Sequence, residues 1–419
     1  MLTTPELIRE AAQLPRLEKL LPHWRRVPLY RNALAQAEKA PSASDAWADF
    51  FRLPLITKRE MRKDFPQNFL RPGQSLETLL DQNRVELEHT SGTSEERLPV
   101  LFGRGWWNEQ EERMLRLNRL VARVLDGHPR ARRATIAPPV CNGIACFSHR
   151  HSRSERTVDT TLFVNRSRIP FLLNDDELAR MAAEISEWAP QFLDLDPVHG
   201  AWFALYCERQ GIRFPSLKFI LCSYEFVSVV HRRILQRVFG VPVFNLYGST
   251  ETGHLLMENE SGEMKPNLET AFLENIEPDE RGVGHLVVTT LTNDYMPLVR
   301  YRIGDLVKRQ EWPYGTNYLV HGRSHDVLNR RDGRQVTTLE VDQCFTGAGG
   351  IAHYLLRQMA GGDCRLQFVP NGDGPGGEAL ESTITQLEDL LQPSKRISAE
   401  AVKLLPPTHS GKFRLTGRV

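Results

Sequence analysis

The sequence predicts an α/β protein: a large N-terminal domain of mixed sheets with helices and a small β-rich part, followed by a small α+β domain. Three changes of rhythm along the chain lead there. Between about residues 86 and 260, short apolar runs ("ARRATIAPP", "SLKFILCS", "VPVFNLYGS") alternate with helical patterns such as "DDELARMAAEISEWA" and "VSVVHRRILQRVFG". That alternation is the mark of a mostly parallel sheet covered by helices, with ligands at the carboxyl ends of its strands. From about 265 to 322 the spacing tightens to "GHLVVTTLT" and "PLVRYRIGDLVKRQ", which reads as antiparallel sheet. Beyond "GRSHDVLN" the strand-like "CRLQFVP" leads through the Gly/Pro-rich "NGDGPGGE" into a helix with Leu380, Ile384, Leu387 and Leu391 on one face. Pro393 closes it, and "RISAEAVKLLPP" resumes extended structure.

Ahead of these, residues 1 to about 85 read as helices broken by proline turns, because "ELIREAAQLPRLEKLL" and "SDAWADFFRL" carry apolar residues three and four apart. At 419 residues the chain is long enough for one large domain and a smaller one. No apolar run approaches membrane-spanning length, and "MLTTPELIREAAQL" lacks the layout of a secretion signal, so a cytoplasmic protein is expected. Six scattered cysteines without a C-x-x-C pair read as reduced, buried thiols. Acids and bases nearly balance, leaving a formal charge of +1, and the arginine-rich "HPRARRATIAPPVCNGIACFSHRHSRSER" lacks interleaved aromatics. A nucleic-acid ligand is therefore not expected.

Five stretches carry chemistry. "HTSGTSEERLPVLF" sets Ser91, Gly92, Thr93 and Ser94 in a loop between two strand-like segments, where hydroxyls and backbone N–H groups can wrap phosphate oxygens. It is no Walker loop, since the G-x-x-x-x-G-K-[ST] pattern is absent; the Gly411–Lys412 pair has Pro406 and Phe413 at the positions that pattern needs. "FNLYGSTETG" projects Tyr247, Thr250 and Glu251 from a strand end: an aromatic face, a hydroxyl and a carboxylate together. In "YRIGDL", Asp305 sits in a Gly304 turn between strands, where a carboxylate can accept two hydroxyls. "HGRSHD" and the closing "LPPTHSGKFRLTGRV" come next, the latter placing Lys412 on a flexible Ser-Gly turn. Each of these stretches alone is compatible with an ordinary core ring, turn acid or solvated loop.

Their order is more specific. A hydroxyl loop, Y-G-S-T-E, Y-R-x-G-D-L, G-R-x-x-D and a final P-x-x-x-S-G-K resemble the adenylate-forming superfamily of acyl-CoA ligases, firefly luciferases and peptide-synthetase adenylation domains. "RVPLYRNALAQA" with "LPLITKREMRKDFP" narrows the resemblance to the phenylacetate-CoA ligase-like branch, over nearly the whole chain. The resemblance implies ATP and Mg²⁺ as cofactors, and a carboxylic acid, aromatic or compact, converted to acyl-AMP and passed to a thiol, most often CoA. Ser91, Gly92, Thr93 and Ser94 would hold the β- and γ-phosphates. Tyr247, beside Gly248, would stack on adenine; Thr250 would touch the α-phosphate and Glu251 would ligate Mg²⁺. Asp305, helped by Arg323, would hold the ribose. Ser223 and Tyr224 would line the adenine and acyl pockets, with Val140, Cys141, Asn142 and Phe147 against the substrate. Lys412 would bridge the carboxylate and the α-phosphate.

The same resemblance implies an ATP- and acyl-binding domain over 1–323 and a mobile domain over 326–419 that carries Lys412, with a hinge near 324–326 at His325. Two departures stand out. The family's loop continues Gly-Lys-Pro where this chain has Glu95, Glu96 and Arg97, and Tyr224, Glu225 and Phe226 replace Ala-Glu-Pro, which implies a reshaped acyl site. Alternatives within the resemblance are transfer to an acyl-carrier protein, a protein residue or an amine, and a degenerate homologue that binds nucleotide without turnover. No membrane partner is expected, and homodimerisation is left open.

Overall fold

The computed structural model describes residues 4–37, 50–51, 53–90, 97–139, 152–312 and 315–419. The chain folds into two compact units: one from Met1–Gly92, Glu96–Asn118 and Gly248–Val320, the other from Thr93–Glu95, Arg119–Tyr247 and His321–Val419.

In the first unit the N-terminal helix Thr4–Trp24 runs on through Pro15 and Pro22, where the sequence predicts breaks. Its apolar stripe explains the continuity: Leu17, Leu21 and Trp24 are all buried, and that burial outweighs the hydrogen bonds the prolines remove. The strands predicted on either side of the hydroxyl loop form an antiparallel hairpin, Val85–His89 with Pro99–Gly103. Strands Ala271–Ile276, Val283–Thr290, Tyr301–Trp312 and Gly315–Arg323 succeed one another in a four-stranded sheet, the first three pairing antiparallel as the sequence predicts. The segment before helix Lys58–Arg62 is tied to this sheet by Arg300, whose Nη1 donates to the carbonyls of Phe51 at 2.7 Å and Leu53 at 2.8 Å while Nη2 pairs with Glu274 at 2.9 Å.

The second unit holds the parallel sheet. Its strands stand in the order Thr161–Phe163, Arg133–Ile136, Phe192–Leu195, Phe219–Cys222 and Val243–Ser249, every neighbouring pair parallel. Phe192–Leu195 and Phe219–Cys222 are buried along their whole length, as central strands covered on both faces must be. Each crossover helix has a side-chain cap at its start: Asn174 for Asp175–Trp188, Asp196 for Pro197–Arg209 and Ser228 for Val229–Phe239. Cys207, Cys222, Cys344 and Cys364 are free and buried, as expected for the described cysteines.

The α+β portion predicted for the C-terminal part is present. Ile351–Gln358 pairs antiparallel with Cys364–Pro370 and parallel with Thr416–Arg418, and Ser398–Ala401 lies parallel to Cys364–Pro370. Helix Gly377–Leu391 buries Ile384, Leu387 and Leu391, and Gln392 in the left-handed region ends it before Pro393. These residues share one apolar core with the parallel sheet and its helices. Asp342 makes the polar connection: it accepts from the Ser228 hydroxyl, from Val229 N at 2.9 Å and from Tyr354 Oη at 2.7 Å. Among the described residues no helix is long and apolar enough to cross a membrane.

Candidate active site

In the first unit the centre of interest is Glu251, in the turn just past strand Val243–Ser249. Gly248 at the strand's end has no room for a side chain, since a Cβ would come within 2.3 Å of the Gly253 carbonyl oxygen. The turn is closed by Ser249 and Thr252, whose hydroxyls stand 2.9 Å apart. Glu251 is 3% exposed; it accepts a hydrogen bond from Tyr301 Oη at 2.9 Å and faces Lys58 Nζ at 3.9 Å. Burial pushes its carboxyl pKa up, but the Lys58 ammonium, a backbone N–H and the Tyr301 and Ser249 hydroxyls together hold it below the ordinary carboxylate value. A buried acid is thus kept ionised. Thr250 is half-buried beside it.

Asp305 is buried, at 5% exposure, but its setting differs from the turn the sequence predicts. Tyr301–Trp312 is one continuous strand, and Ile303, Gly304 and Asp305 form a bulge opposite Leu286, with Gly304 at φ +96°. The Gly-Asp pair reads as a turn in sequence because a bulge and a turn need the same left-handed glycine.

In the second unit, Ser223 and Tyr224 lie just past strand Phe219–Cys222 and both tie to Asp194 on the neighbouring strand: Ser223 Oγ donates at 2.7 Å and Tyr224 Oη at 3.2 Å. Arg133 Nη1 approaches the same carboxylate at 3.5 Å. Tyr224 takes φ +72°, a left-handed conformation costly for a bulky residue, and so folds the chain back sharply. Glu225 therefore points at the closing segment of the chain, where Phe413 N donates to its Oε1 at 2.7 Å.

Lys412 consequently stands on an anchored turn and not on the flexible one expected. Thr408 closes it, its N and Oγ1 both donating to the Lys412 carbonyl at 2.7 and 2.9 Å, and Arg168 Nη2 donates to the His409 carbonyl at 2.7 Å. Ser410, Gly411 and Phe413 are buried and Lys412 is half-buried. The Lys412 charge acts on both Glu225 and Asp196, so the second unit brings together the predicted Ser223–Tyr224 turn with its Glu225, Lys412, and a second acid, Asp196, that sequence reasoning did not single out. Asp196 had a signal of its own: in "LDLDPVHG" an acid precedes a proline at a helix start, the pattern of an N-cap.

Tyr247 is half-buried at the end of strand Val243–Ser249, and Arg323 ends strand Gly315–Arg323. His325 is half-exposed in the turn after it, with Nε2 at 3.6 Å from Asp326 Oδ1. Asp326 Oδ1 also faces Arg414 Nε at 3.3 Å, and the Asp326 carbonyl accepts from the Thr416 hydroxyl at 2.8 Å. Ser91, Gly92, Thr93 and Ser94 lie outside the described residues, as do Val140, Cys141, Asn142 and Phe147. Glu95 and Glu96 are outside them too.

No protein-family model matches the chain. It is 25% identical over 347 residues to the phenylacetate-coenzyme A ligase of Thermus thermophilus, covering 79% of this chain and 72% of that protein. The crystal structure of 2-hydroxyisobutyryl-CoA ligase in its postadenylation state, in complex with R3-HIB-AMP, superposes with a TM-score of 0.72 at 17% identity, covering 100% of this chain and 90% of that one. The chain has the fold of that CoA ligase and is phenylacetate-CoA ligase-like in sequence. It is also 30% identical over 205 residues to protein CapK of Staphylococcus aureus, a match that spans 46% of this chain and 45% of CapK, less than half of that relative's length.

In this acyl-CoA synthetase-like chain the acids and donors that sequence reasoning missed are Lys58, Tyr301, Asp194 and Asp196. Lys58 and Tyr301 stood inside quoted motifs, "LPLITKRE" and "YRIGDL", but periodicity assigns such residues to a helix start and a strand. Their approach to Glu251 is a long-range contact with no local trace.

Proposed function

We propose that this protein activates a carboxylic acid with ATP, releasing pyrophosphate, and transfers the acyl group from acyl-AMP to a thiol, CoA in the first instance. The observation that carries the reading is the seating of Lys412 beside the Ser223–Tyr224–Glu225 turn, which sets a cation at the carboxyl edge of the parallel sheet where such folds bind ligands. In adenylation a carboxylate oxygen forms a bond to the α-phosphorus as the bond to the pyrophosphate oxygen breaks. Lys412 neutralises the charge carried by the two approaching anions, and its anchored backbone removes the need to order the turn during reaction. Tyr247 offers its ring to adenine, Asp305 and Arg323 hold the ribose, Thr250 donates to the α-phosphate, and the Ser91–Ser94 loop carries the outer phosphates. In the second step a thiol sulfur attacks the acyl carbon and AMP leaves.

Glu251 suits a magnesium ion. It is ionised and buried, and among the described residues no cluster of three or more His, Cys, Asp or Glu forms a cage, which matches an ion held by one carboxylate and by substrate phosphates. Bound there, the ion would supply charge neutralisation between phosphate oxygens. The acid is proposed to be aromatic or compact, at an acyl site that Tyr224 and Phe226, standing where the resembled turn has Ala and Pro, would reshape. Rotation of 326–419 about His325 is proposed to exchange Lys412 for the thiol between steps.

The test is acid-dependent exchange of labelled pyrophosphate into ATP across a panel of aromatic and short-chain carboxylic acids, then CoA-thiol consumption with the best acid. Exchange with one or a few acids is expected. Absence of exchange across the panel overturns the reading in favour of a nucleotide-binding homologue, and exchange without thiol consumption assigns a different acceptor.

A further inference from the structure

We infer that Glu225, half-buried against the buried carboxyl of Asp196, is a positioning residue for Lys412: it latches the closing turn of the chain through the backbone of Phe413. The inference rests on the adenylation reading for the role of Lys412, while the latch itself is built from contacts within one compact unit.

The two acids stand at the carboxyl ends of adjacent parallel strands, Asp196 one residue past Phe192–Leu195 and Glu225 three past Phe219–Cys222. Each is fixed by backbone bonds, Asp196 N to the Ile136 carbonyl at 2.9 Å and Glu225 N to the Ser223 carbonyl at 2.8 Å. Asp196 Oδ1 caps the next helix, accepting from Val198 N at 2.9 Å and His199 N at 3.1 Å, whereas its Oδ2 is buried with no donor. What faces Asp196 is the Glu225 carboxyl, and two carboxylate oxygens can bond only through a proton. The asymmetry of the pair says where that proton resides. Asp196 has two N–H donors and a helix N-terminus to support a negative charge; Glu225 has the single N–H of Phe413. Burial raises both carboxyls, Asp196 to about 6 and Glu225 further, with the Lys412 charge opposing the rise in each. Protonated Glu225 then donates to Asp196 Oδ2 while its other oxygen accepts from Phe413, and every polar atom of the pair is satisfied.

The histidines around the pair stay neutral over the relevant range. His199 is held neutral by burial, down to about 3, with Asn165 Nδ2 against its Nδ1 at 2.8 Å. His353, whose ring packs 5.5 Å from that of Phe413, is driven far down by burial and by its neighbour His231, itself down to about 3. Lys412 and Arg168, the latter on the His409 carbonyl, supply the cations. The raised carboxyls fix the sign. A group bound to its proton more tightly in the closed form than in the open one favours closure below its closed-form pKa and loses that contribution as pH rises through it. Ionising Glu225 would leave a second negative charge beside the buried Asp196, relieved when the turn lifts and admits more water. The turn that holds Lys412 thus becomes a latch that alkaline conditions release.

The experiment tracks deuterium uptake of the peptide 406–419 in the full-length protein from about pH 6 to about pH 9, corrected for intrinsic exchange, together with pyrophosphate exchange over the same range. Wild-type uptake is expected to rise with pH, and pyrophosphate exchange to fall on that alkaline limb. Glu225→Gln imitates the protonated acid, accepting from Phe413 and donating to Asp196, so its uptake stays low and both profiles flatten. Glu225→Ala raises uptake at every pH by about tenfold, the loss expected for one buried hydrogen bond. Wild-type protection in the alanine variant, or a wild-type pH profile in the glutamine variant, overturns the latch. If the wild type shows no acid-dependent exchange, the adenylation reading fails, and the uptake profiles still decide the latch on their own.

Discussion

Tyr301→Phe tests how the first unit keeps Glu251 charged. The substitution removes one hydroxyl and leaves the ring, which is fully buried, to fill the same space. What is lost is a 2.9 Å hydrogen bond to a buried carboxylate. A bond of that type contributes about 1.5–3 kcal/mol, and at 1.36 kcal/mol per pKa unit that corresponds to a rise of about one to two units for Glu251. Lys58 at 3.9 Å and the backbone N–H remain, so the carboxyl still ionises at neutral pH. The sign is fixed by the lowered carboxyl in the wild type: its contribution is present above the ordinary carboxylate value and is lost as pH falls through the depressed one. In the variant that loss begins at higher pH. Pyrophosphate exchange measured from about pH 3 to about pH 8 should therefore show near wild-type rates at the neutral end and an acid limb moved up by about one to two units. Urea unfolding at neutral pH should show a destabilisation of about 1.5–3 kcal/mol. An unmoved acid limb together with an unchanged unfolding midpoint would refute the account of Glu251.

Lys412→Ala should lower adenylation about 10²- to 10³-fold while thiolysis of supplied acyl-AMP continues; wild-type pyrophosphate exchange would remove Lys412 from the mechanism. Asp305→Ala should weaken binding of a non-hydrolysable ATP analogue by about 1.5–3 kcal/mol in calorimetry, and unchanged affinity would leave Asp305 as a bulge residue only. His325→Pro fixes φ at a position proposed to rotate, so one half-reaction should persist and the other fall sharply. Equal rates for both half-reactions in His325→Pro and His325→Ala would place the pivot elsewhere.

The parallel and antiparallel sheets were legible because their signal is local. Apolar runs such as "KFILC" report burial on both faces, and the closely spaced "GHLVVTTLT" and "PLVRYRIGDLVKRQ" report successive strands. Helix starts were equally legible where a side-chain cap stands before them. Contacts made by the tertiary fold were not. Pro15 and Pro22 read as breaks because propensity counts the lost hydrogen bonds, and it cannot count the burial of Trp24 that offsets them. Gly304 read as a turn because a bulge asks for the same φ. The Asp194 carboxylate serves Ser223, Tyr224 and Arg133 across two neighbouring strands, a pairing that only the register of the sheet creates.

For Lys412 the difference between local pattern and tertiary contact changes the chemistry. A lysine near the end of a chain, after Ser-Gly, reads as solvated, and a solvated ammonium contributes little to a transition state because water screens it and its side chain must be ordered each time. The fold removes both objections. Phe413 packs its ring 5.6 Å from that of Phe171 and 6.0 Å from that of His199, and with its backbone on Glu225 it fixes the residue next to Lys412 on the far side from the Thr408 closure. A cation held between two such anchors needs little reorganisation when a second anion arrives, and reorganisation is the cost that water-exposed charges cannot avoid. On the proposed adenylation reading, the catalytic value of Lys412 would be set by Phe413, Thr408 and Glu225 as much as by its own ammonium.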